Sequence, residues 1–309
     1  MNGALVVDKP AGPTSHDVVA RVRRALGLSR VGHTGTLDPL ATGVLPLVIG
    51  RATRLARFLT MDEKEYVAGI RLGSATATYD AEERVIREPD GQGLQLGAPP
   101  VSPDVSEAAL QEALTAFTGT YRQMPPPFSA KKISGTPAYL LARLNKAVEM
   151  RAVEVTVHSL ELLHYEGGLI SLRVRSSSGF YVRSLAHDLG QRLGCGGHLE
   201  TLRRTRAGEF TLAQAVPLEE IQRSGSAALS KLVPMTDLLP RLPKVVVNAR
   251  GAQRVAHGHP LDGGDLAGAW ESDSDPAPVA VRVVDGSGAL LAVGRPGAGG
   301  LLQPFVVLV

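Results

Sequence analysis

The 309-residue chain has a single cysteine, Cys195, so no disulfide can form within it. It has no run of about 18 or more apolar residues, and the sequence therefore predicts no membrane-spanning helix. The first residues place Asp8 directly after a short apolar run, which is not the pattern of a signal peptide. These absences argue against the secreted disulfide-rich and membrane classes and indicate the reducing cytoplasm.

Cofactor and metal signatures are also missing. The glycine-rich residues 32–43 lack the Gly-Lys-Ser/Thr ending of a phosphate-binding P-loop. Cys195 and His198 make at most half of a zinc site, because no second half follows at the required spacing. We therefore expect neither a cofactor nor a bound metal.

Charge is spread unevenly along a chain whose formal net charge is only +3. Residues 1–60 carry eight Lys/Arg against three Asp/Glu, a balance of +5. Residues 171–210 carry seven against three, a balance of +4, whereas residues 236–309 carry six against seven, a balance of −1. Two basic segments on one fold would make a nucleic-acid footprint, although dispersed solvated arginines are an equal alternative.

Hydrophobic periodicity predicts the positions of several helices and strands. Residues 4–7 form a short apolar strand, and residues 15–26 form a helix that Thr14 or Ser15 caps and Gly27 ends. Alternation predicts strands at residues 66–73, 153–157 and 170–174, and helical spacing predicts helices at 106–117 and 182–193. Short strands broken by Gly, Asp and Pro follow residue 239, at 245–247, 279–284, 290–293 and 305–309.

Asp38 stands out in the glycine-rich stretch, because Pro39 keeps it out of the helical region and fixes the next φ. Its carboxylate should therefore point in one direction from a rigid loop. Asp-Pro is also a common turn opening, so Asp38 either shapes the turn or carries chemistry.

Residues 32–46 read Gly-His-Thr-Gly-Thr-Leu-Asp-Pro-Leu-Ala-Thr-Gly-Val-Leu-Pro, and this long stretch resembles the signature of the bacterial tRNA pseudouridine synthase B family. Residues 5–15, 64–80, 123–135, 177–183 and 198–206 are similar to further family motifs. The resemblance implies an α+β fold with a mixed, mainly antiparallel sheet flanked by helices. It also implies a catalytic domain at residues 1–238 and a small β-rich, PUA-like RNA-binding module at residues 239–309.

The resemblance implies a reaction without a cofactor. The N1–C1′ bond of a flipped uridine, position 55 in the T-arm loop of tRNA, breaks, the base turns, and C5 joins C1′. Asp38 would be the catalytic residue, as a nucleophile or as the base of an elimination, and Arg183 would pair with it. The expected substrate-binding residues are His33, Tyr66, Tyr181 and Leu202. The expected contacts to the RNA backbone are Lys9, Lys132, Arg203 and Arg204.

Four positions depart from the family pattern. Ser178 stands where lysine is common, Phe180 where threonine is common, Phe128 where tyrosine is usual, and Glu83 where a turn glycine is expected. The first two put a phosphate contact in doubt, and the last puts a hairpin in doubt. We expect a cytoplasmic monomer whose partner is tRNA.

Two other classes stay open. The chain could be a non-catalytic RNA-binding or tRNA-folding protein in which Asp38 only shapes its loop. It could also be an aspartate-dependent hydrolase of a glycosidic bond, although hydrolysis usually needs a second carboxylate. No acidic partner stands out in the sequence near Asp38, Tyr66 or Arg183.

Overall fold

The computed structural model describes residues 1–81, 104–129, 132–133, 136–137, 150–268, 279–297 and 300–309. The predicted departure at Glu83, most of the Pro- and Gly-rich residues 88–106, and the side chain of Lys132 lie outside this part of the chain. In the part described, no helix is both long enough and apolar enough to cross a bilayer.

The strands are β1 Gly3–Lys9, β2 Val31–His33, β3 Thr42–Ile49, β4 Lys64–Leu72, β5 Gly119–Gln123, β6 Lys132–Ile133, β7 Thr136–Pro137, β8 Val153–Glu166, β9 Leu169–Ser176, β10 Gly197–Ala207, β11 Phe210–Thr211, β12 Val216–Pro217, β13 Val233–Pro234, β14 Lys244–Val246, β15 Val281–Val284, β16 Leu290–Pro296 and β17 Leu302–Val307. The helices are α1 Ser15–Leu26, α2 Ala56–Thr60, α3 Glu107–Thr115, α4 Val182–Arg192, α5 Leu218–Ser224 and α6 Ala249–Ala256.

One large mixed sheet organises the chain. Its strands run in the order β12-β1-β3-β10-β4-β9-β8-β5, and β2, β11 and β13 pair at its margins. The pairs β1–β12 and β3–β10 are parallel, and the other pairs of this sheet are antiparallel. A second sheet in the order β14-β15-β16-β17 forms the C-terminal part. The predicted α+β class with a mixed, mainly antiparallel sheet is confirmed.

Capping contacts at its two ends set where helix α1 begins and ends. The Thr14 side chain accepts from the backbone N–H of Asp17, and the Asp17 carboxylate accepts from the Thr14 N–H at 2.9 Å, which makes a capping box. Gly27 ends the helix at φ 63°, a left-handed conformation that glycine adopts without a steric penalty. Of the two candidate caps, Thr14 is therefore the one used.

The large sheet has apolar cores on both faces. On one face, α1, α3 and α4 pack over side chains such as Leu5, Val7, Leu45 and Ile70. On the other face, Val6, Val44 and Val48 meet residues of the C-terminal sheet, including Val293 and Leu308. Strands β1 and β3 are therefore buried on both sides, which explains why they read as apolar runs rather than alternating strands.

Two of the strands that sequence periodicity missed border the candidate site. Strand β3 contains Gly43 and Pro46 and is buried on both faces, so it shows no alternation. Strand β10 has register shifts near Thr201 and Arg206 and buries Arg204 in its interior, which disrupts an apolar period of two. The residues 34–41 connect β2 to β3 and lie at the edge that β3 shares with β10.

Candidate active site

The loop carrying Asp38 is tied at several points to the fold. Ser15 at the start of α1 donates its hydroxyl to the Leu37 carbonyl at 3.1 Å and accepts from the Leu37 N–H at 2.8 Å. Lys9, which is fully buried, donates to the carbonyls of Pro39 at 3.0 Å and Ala41 at 2.6 Å. These contacts hold the backbone on both sides of Asp38, so the direction of its carboxylate is set by the fold.

Arg204 of β10 holds the other side of the same loop. Its Nη2 donates to the Gly35 carbonyl at 3.1 Å and its Nε donates to the Val44 carbonyl at 2.7 Å. The side chain is 1% exposed, and burial lowers its pKa. Lys9 and Arg204 are both buried and donate to protein carbonyls, so their contact with RNA phosphates stays a prediction that this structure does not support.

Asp38 and Arg183 lie together, although 145 residues separate them in the chain. Arg183 Nη2 donates to Asp38 Oδ1 at 3.0 Å, and Arg183 Nε lies 2.9 Å from Asp38 Oδ2. The arginine side chain is 6% exposed, whereas the aspartate side chain is 32% exposed toward the cavity. The first contact is a hydrogen bond and the second is a close ion pair without hydrogen-bond geometry, so the guanidinium holds the carboxylate mainly through Oδ1.

A second carboxylate, which the sequence did not single out as a site residue, shares this arginine. Arg183 Nη1 lies 3.4 Å from Asp80 Oδ2 and donates to the Thr78 carbonyl at 3.1 Å. Arg183 Nη2 also donates to the Phe128 carbonyl at 2.9 Å. Asp80 is only 5% exposed in its side chain, so two carboxylates and one guanidinium form a compact, mostly buried group.

The pKa of Asp38 is raised above its usual value, chiefly because burial disfavours the charged form. Arg183 opposes this increase and the Asp80 carboxylate adds to it. The arginine therefore favours the ionised form of a carboxylate that burial tends to protonate.

A cavity of about 480 Å³ opens over Asp38. Of the predicted substrate-binding residues, Tyr66, Tyr181 and Leu202 line this cavity. Tyr66 is 9% exposed on β4, and Tyr181 precedes α4, where Gln123 accepts from its N–H at 2.8 Å. The structure thus brings together side chains from four distant parts of the chain around one carboxylate.

Lys64 also lines the cavity, and the sequence did not predict it as a site residue. It is 7% exposed and donates to the carbonyls of Thr60 and Asp62 at the end of α2. Burial, together with the nearby Arg204 charge, lowers the pKa of Lys64 to about 8. The sequence signal for it was its place at the start of the motif at residues 64–80, two residues before Tyr66.

Two other predicted residues, His33 and Arg203, are not among the described residues that line the cavity. His33 ends β2, where its ring meets the His16 ring edge to face at 5.3 Å, and burial lowers its pKa. Arg203 is 42% exposed and pairs with Asp8 at 2.8 Å. Lys132 lies in β6, whose backbone alone is described. RNA contacts by these three residues stay predictions.

Two of the departures from the family pattern fall in the cavity wall. Ser178 and Phe180 line the cavity in the turn before α4, and Phe180 is 8% exposed and packs in the core. Phe128 contributes its carbonyl, rather than its ring, to the Arg183 contacts. None of the three alters the contact between Asp38 and Arg183.

Two family models match adjacent parts of the chain. Residues 23–182 match the TruB family pseudouridylate synthase (N terminal domain), and residues 183–239 match the tRNA pseudouridylate synthase B C-terminal domain. The first match contains Asp38 and Tyr66, and the second contains Arg183 and Leu202. The fold and the site therefore define a pseudouridylate synthase, an isomerase.

Similar proteins narrow the class. The chain is 44% identical over 312 residues to the tRNA pseudouridine synthase B of Solibacter usitatus, covering 100% of both chains. It is 46% identical over 261 residues to the protein of that name from Symbiobacterium thermophilum, covering 84% of this chain and 82% of the relative. The crystal structure of a Cbf5-Nop10-Gar1 complex matches 99% of this chain and 85% of that chain, at a TM-score of 0.73 and 28% identity. The chain belongs to the TruB family of pseudouridylate synthases.

Proposed function

We propose that this enzyme converts a uridine in the T-arm loop of tRNA, uridine 55, to pseudouridine. The N1–C1′ bond breaks, the base turns while it stays in the pocket, and C5 joins C1′, so that no atoms are gained or lost. One observation carries the proposal: the Asp38 carboxylate faces a cavity while the buried Arg183 donates a hydrogen bond to one of its oxygens and lies close to the other. The names of the most similar relatives support tRNA as the substrate.

The target base must leave its stack to reach Asp38, at a cost of roughly a few kcal/mol. Tyr66 in the cavity wall would stack on the extruded base, which recovers roughly 1–3 kcal/mol. Tyr181 and Leu202 would close the sides of the pocket around the base. His33 would occupy the space in the RNA that the base has left.

Asp38 acts in its ionised form, either by attacking the sugar or by removing a proton in an elimination. Arg183 serves both routes, because its positive charge favours the ionised carboxylate and its hydrogen bond to Oδ1 positions that group. Exclusion of water by the base and the aromatic wall strengthens every charge interaction in the pocket. The residues of this chain are thus sufficient for the chemistry, without a cofactor.

The tRNA would approach over a basic ridge beside the cavity, which we define as Arg51, Arg54 and Arg57. All three side chains are exposed. Arg51 and Arg54 lie in a 3-10 helix at Gly50–Leu55, where residues three apart share a face, and Arg57 follows in α2. Thr60 and Met61, at the end of the same segment, line the cavity. Arg203 and Lys132 are further proposed contacts to the RNA backbone.

We further propose that residues 239–309 form a separate RNA-binding module of PUA type, beyond a catalytic domain of residues 1–238. The proposal rests on the separate four-stranded sheet of this part. The enzyme would act as a monomer in the cytoplasm, where tRNA substrates are found.

Incubation with an unmodified tRNA transcript, followed by mapping of pseudouridine by position, tests the function directly. We expect conversion at uridine 55 alone in the T-arm. Asp38→Asn should abolish conversion, because an amide is neither a nucleophile nor a base here, and should change tRNA affinity by less than about threefold. Asp237→Asn, at an exposed position outside the cavity, is the matched control.

The rival classes give different products. Release of free uracil would identify a hydrolase, and tRNA that is bound but chemically unchanged would identify a binding protein. A hydrolase is the weaker candidate, because the second carboxylate, Asp80, contacts Arg183 and is not among the described residues that line the cavity. Normal conversion by Asp38→Asn would show that the catalytic assignment is wrong.

A further inference from the structure

Tyr79 has a backbone conformation that side chains seldom adopt. Its φ is 65°, and among the described residues only Leu239 is another non-glycine residue with a positive φ. The residues on either side of Tyr79 are Thr78 and Asp80, and both contact the Arg183 guanidinium. The unusual conformation thus lies between the two groups that hold the partner of the catalytic carboxylate.

The turn around Tyr79 is closed by a dense set of hydrogen bonds. The Tyr79 N–H donates to the Thr76 carbonyl at 3.2 Å, and the Thr76 hydroxyl donates to the Asp80 carbonyl at 2.8 Å. The Thr78 hydroxyl donates to Asp80 Oδ1 at 2.8 Å. The Leu199 N–H of β10 donates to the Tyr79 carbonyl at 2.9 Å. A left-handed residue at position 79 lets the Thr78 carbonyl and the Asp80 side chain face the same guanidinium.

The Tyr79 ring is held from outside this turn. It stacks on the His187 ring with a centroid distance of 3.8 Å and an interplanar angle of 9°. His187 follows Arg183 by one helical turn on α4, so the two side chains project from neighbouring positions of one helix. Burial lowers the pKa of His187, which favours its neutral form.

We propose that Tyr79 and His187 are a pair of positioning residues for the isomerisation. The stacked rings tie the turn of residues 76–80 to helix α4, and they keep the Thr78 carbonyl and the Asp80 carboxylate at their distances from Arg183. Arg183 in turn keeps its hydrogen bond to Asp38. The inference rests on the proposed function, and it adds two residues that act only through Arg183.

Because of its position, the Tyr79–His187 pair should affect the chemical step but not the binding of tRNA. Of the described residues, those that line the cavity include neither Tyr79 nor His187. Loss of the stack should therefore loosen the guanidinium and slow the chemical step, because a small misplacement of a catalytic group has a large effect on rate. It should leave the surface that receives tRNA unchanged.

The test is a single-turnover measurement of pseudouridine formation, with tRNA affinity measured separately. In His187→Ala we expect the rate to fall by roughly tenfold or more, with the dissociation constant changed by less than about twofold. Alanine favours the helix, so this variant should fold. His187→Phe, which can still stack, should keep a rate within about twofold of the unmodified chain. His164→Ala, at an exposed histidine, is the matched control.

Substitutions of Tyr79 give a second test of the same inference. Tyr79→Phe should be as active as the unmodified chain, whereas Tyr79→Gly should be slow, because glycine adopts the same φ but has no ring to hold it. The double variant Tyr79→Gly/His187→Ala should be no slower than the slower single variant, since both substitutions remove one interaction.

Four results would overturn the inference, of which the first three come from variants that remove a ring. These three are a normal rate in His187→Ala, a normal rate in Tyr79→Gly, and losses in the double variant that multiply. An equal loss of rate in His187→Phe would also overturn it, because the stack would then not be the cause. If the unmodified chain forms no pseudouridine, the proposed function is wrong and the inference falls with it. The other results arise only when the unmodified chain is active, so they test the inference separately.

Discussion

The Arg183 guanidinium is shared by Asp38, Asp80 and two backbone carbonyls. With one cation between two acids, the group carries one more negative than positive charge when both acids are ionised. Burial already disfavours that charge, so protonation of Asp38 requires less acid than protonation of an ordinary aspartate. At the scale of residues, this group therefore decides the pH at which the enzyme works.

The pH dependence of the chemical step follows from this charge balance. The pKa of Asp38 is raised from the usual 3.8, so single-turnover rates should fall as pH is lowered, and the fall should begin above the range of an exposed aspartate. The direction follows from the proposal that Asp38 acts only in its ionised form. Rates measured from pH 4 to pH 8 at saturating enzyme would show this acid limb.

The variant Asp80→Asn tests whether the Asp80 carboxylate contributes to the raised pKa of Asp38. Removal of the second carboxylate removes one contribution that raises the pKa of Asp38, so the acid limb should move to lower pH. The plateau rate should fall as well, by roughly tenfold or more, because Arg183 loses one of its partners. An acid limb that stays in place would contradict the charge coupling between the two aspartates.

Among the elements, the junction of β3 and β10 determines where the loop carrying Asp38 lies. The two strands pair in parallel over only two positions, Arg203 with Thr42 and Arg204 with Gly43. Arg204 uses this pairing to reach the carbonyls before and after the loop. The parallel pairing therefore fixes the loop against the strand that also carries Leu202.

Gly43→Ala should disrupt this junction. Gly43 has φ +99°, and an added Cβ would lie 2.2 Å from the backbone oxygen of Arg204. We expect a loss of roughly 3 kcal/mol or more in the free energy of unfolding, because a backbone atom cannot move aside. Chemical denaturation measures this, and a slow single-turnover rate in the folded fraction would accompany it.

The matched control is Gly119→Ala. Gly119 has φ +88°, but an added Cβ there meets nothing within 4 Å. Gly119→Ala should therefore lower the free energy of unfolding by only roughly 1–2 kcal/mol, which is the cost of a left-handed backbone. Equal losses in the two variants would show that the contact with Arg204 contributes nothing.

At the scale of the whole molecule, one segment carries both charge and apolar surface: Arg51, Arg54 and Arg57 are exposed on it, whereas Ala52, Leu55 and Leu59 between them are buried in a core. The basic ridge adjoins the cavity, whereas one apolar core joins the sheet to the C-terminal part. Affinity for tRNA and stability of the chain should therefore be separable by substitution.

Loss of the basic ridge should weaken tRNA binding and should also make the affinity depend less steeply on salt. Replacement of Arg51 and Arg54 by alanine should lower the slope of log affinity against log salt by about one to two, since each phosphate contact contributes roughly one. Arg223→Ala, on α5, is the control. An unchanged slope, measured by filter binding between low and physiological salt, would remove the ridge from the interface.

The shared core predicts that the C-terminal part and the sheet melt together. Leu308 is 1% exposed and belongs to the core that contains Val6 and Val48, so Leu308→Asp should cost roughly 3–5 kcal/mol. The neighbouring Val309 is 47% exposed, and Val309→Asp should have little effect. In calorimetry we expect one transition at lower temperature for Leu308→Asp. A separate transition for the C-terminal part would instead show independent folding.

Much of the site could be predicted from local sequence, because its chemistry is concentrated in short stretches. The loop around Asp38 and the helix start at Thr14 are set by glycine, proline and capping chemistry, which act over a few residues. The strand of Tyr66 alternates clearly, since one of its faces is more buried than the other. The family and its α+β fold followed from the same stretches.

Only the tertiary structure decided what the buried cations do and which acids share them. Lys9 and Arg204 look like surface charges in the sequence, but they are buried because they satisfy carbonyls of a loop that has few other donors. Asp80 and Lys64 enter the site because strands distant in sequence pair side by side. Contacts of this kind depend on register and on packing across more than a hundred residues, and no local pattern of residues specifies them.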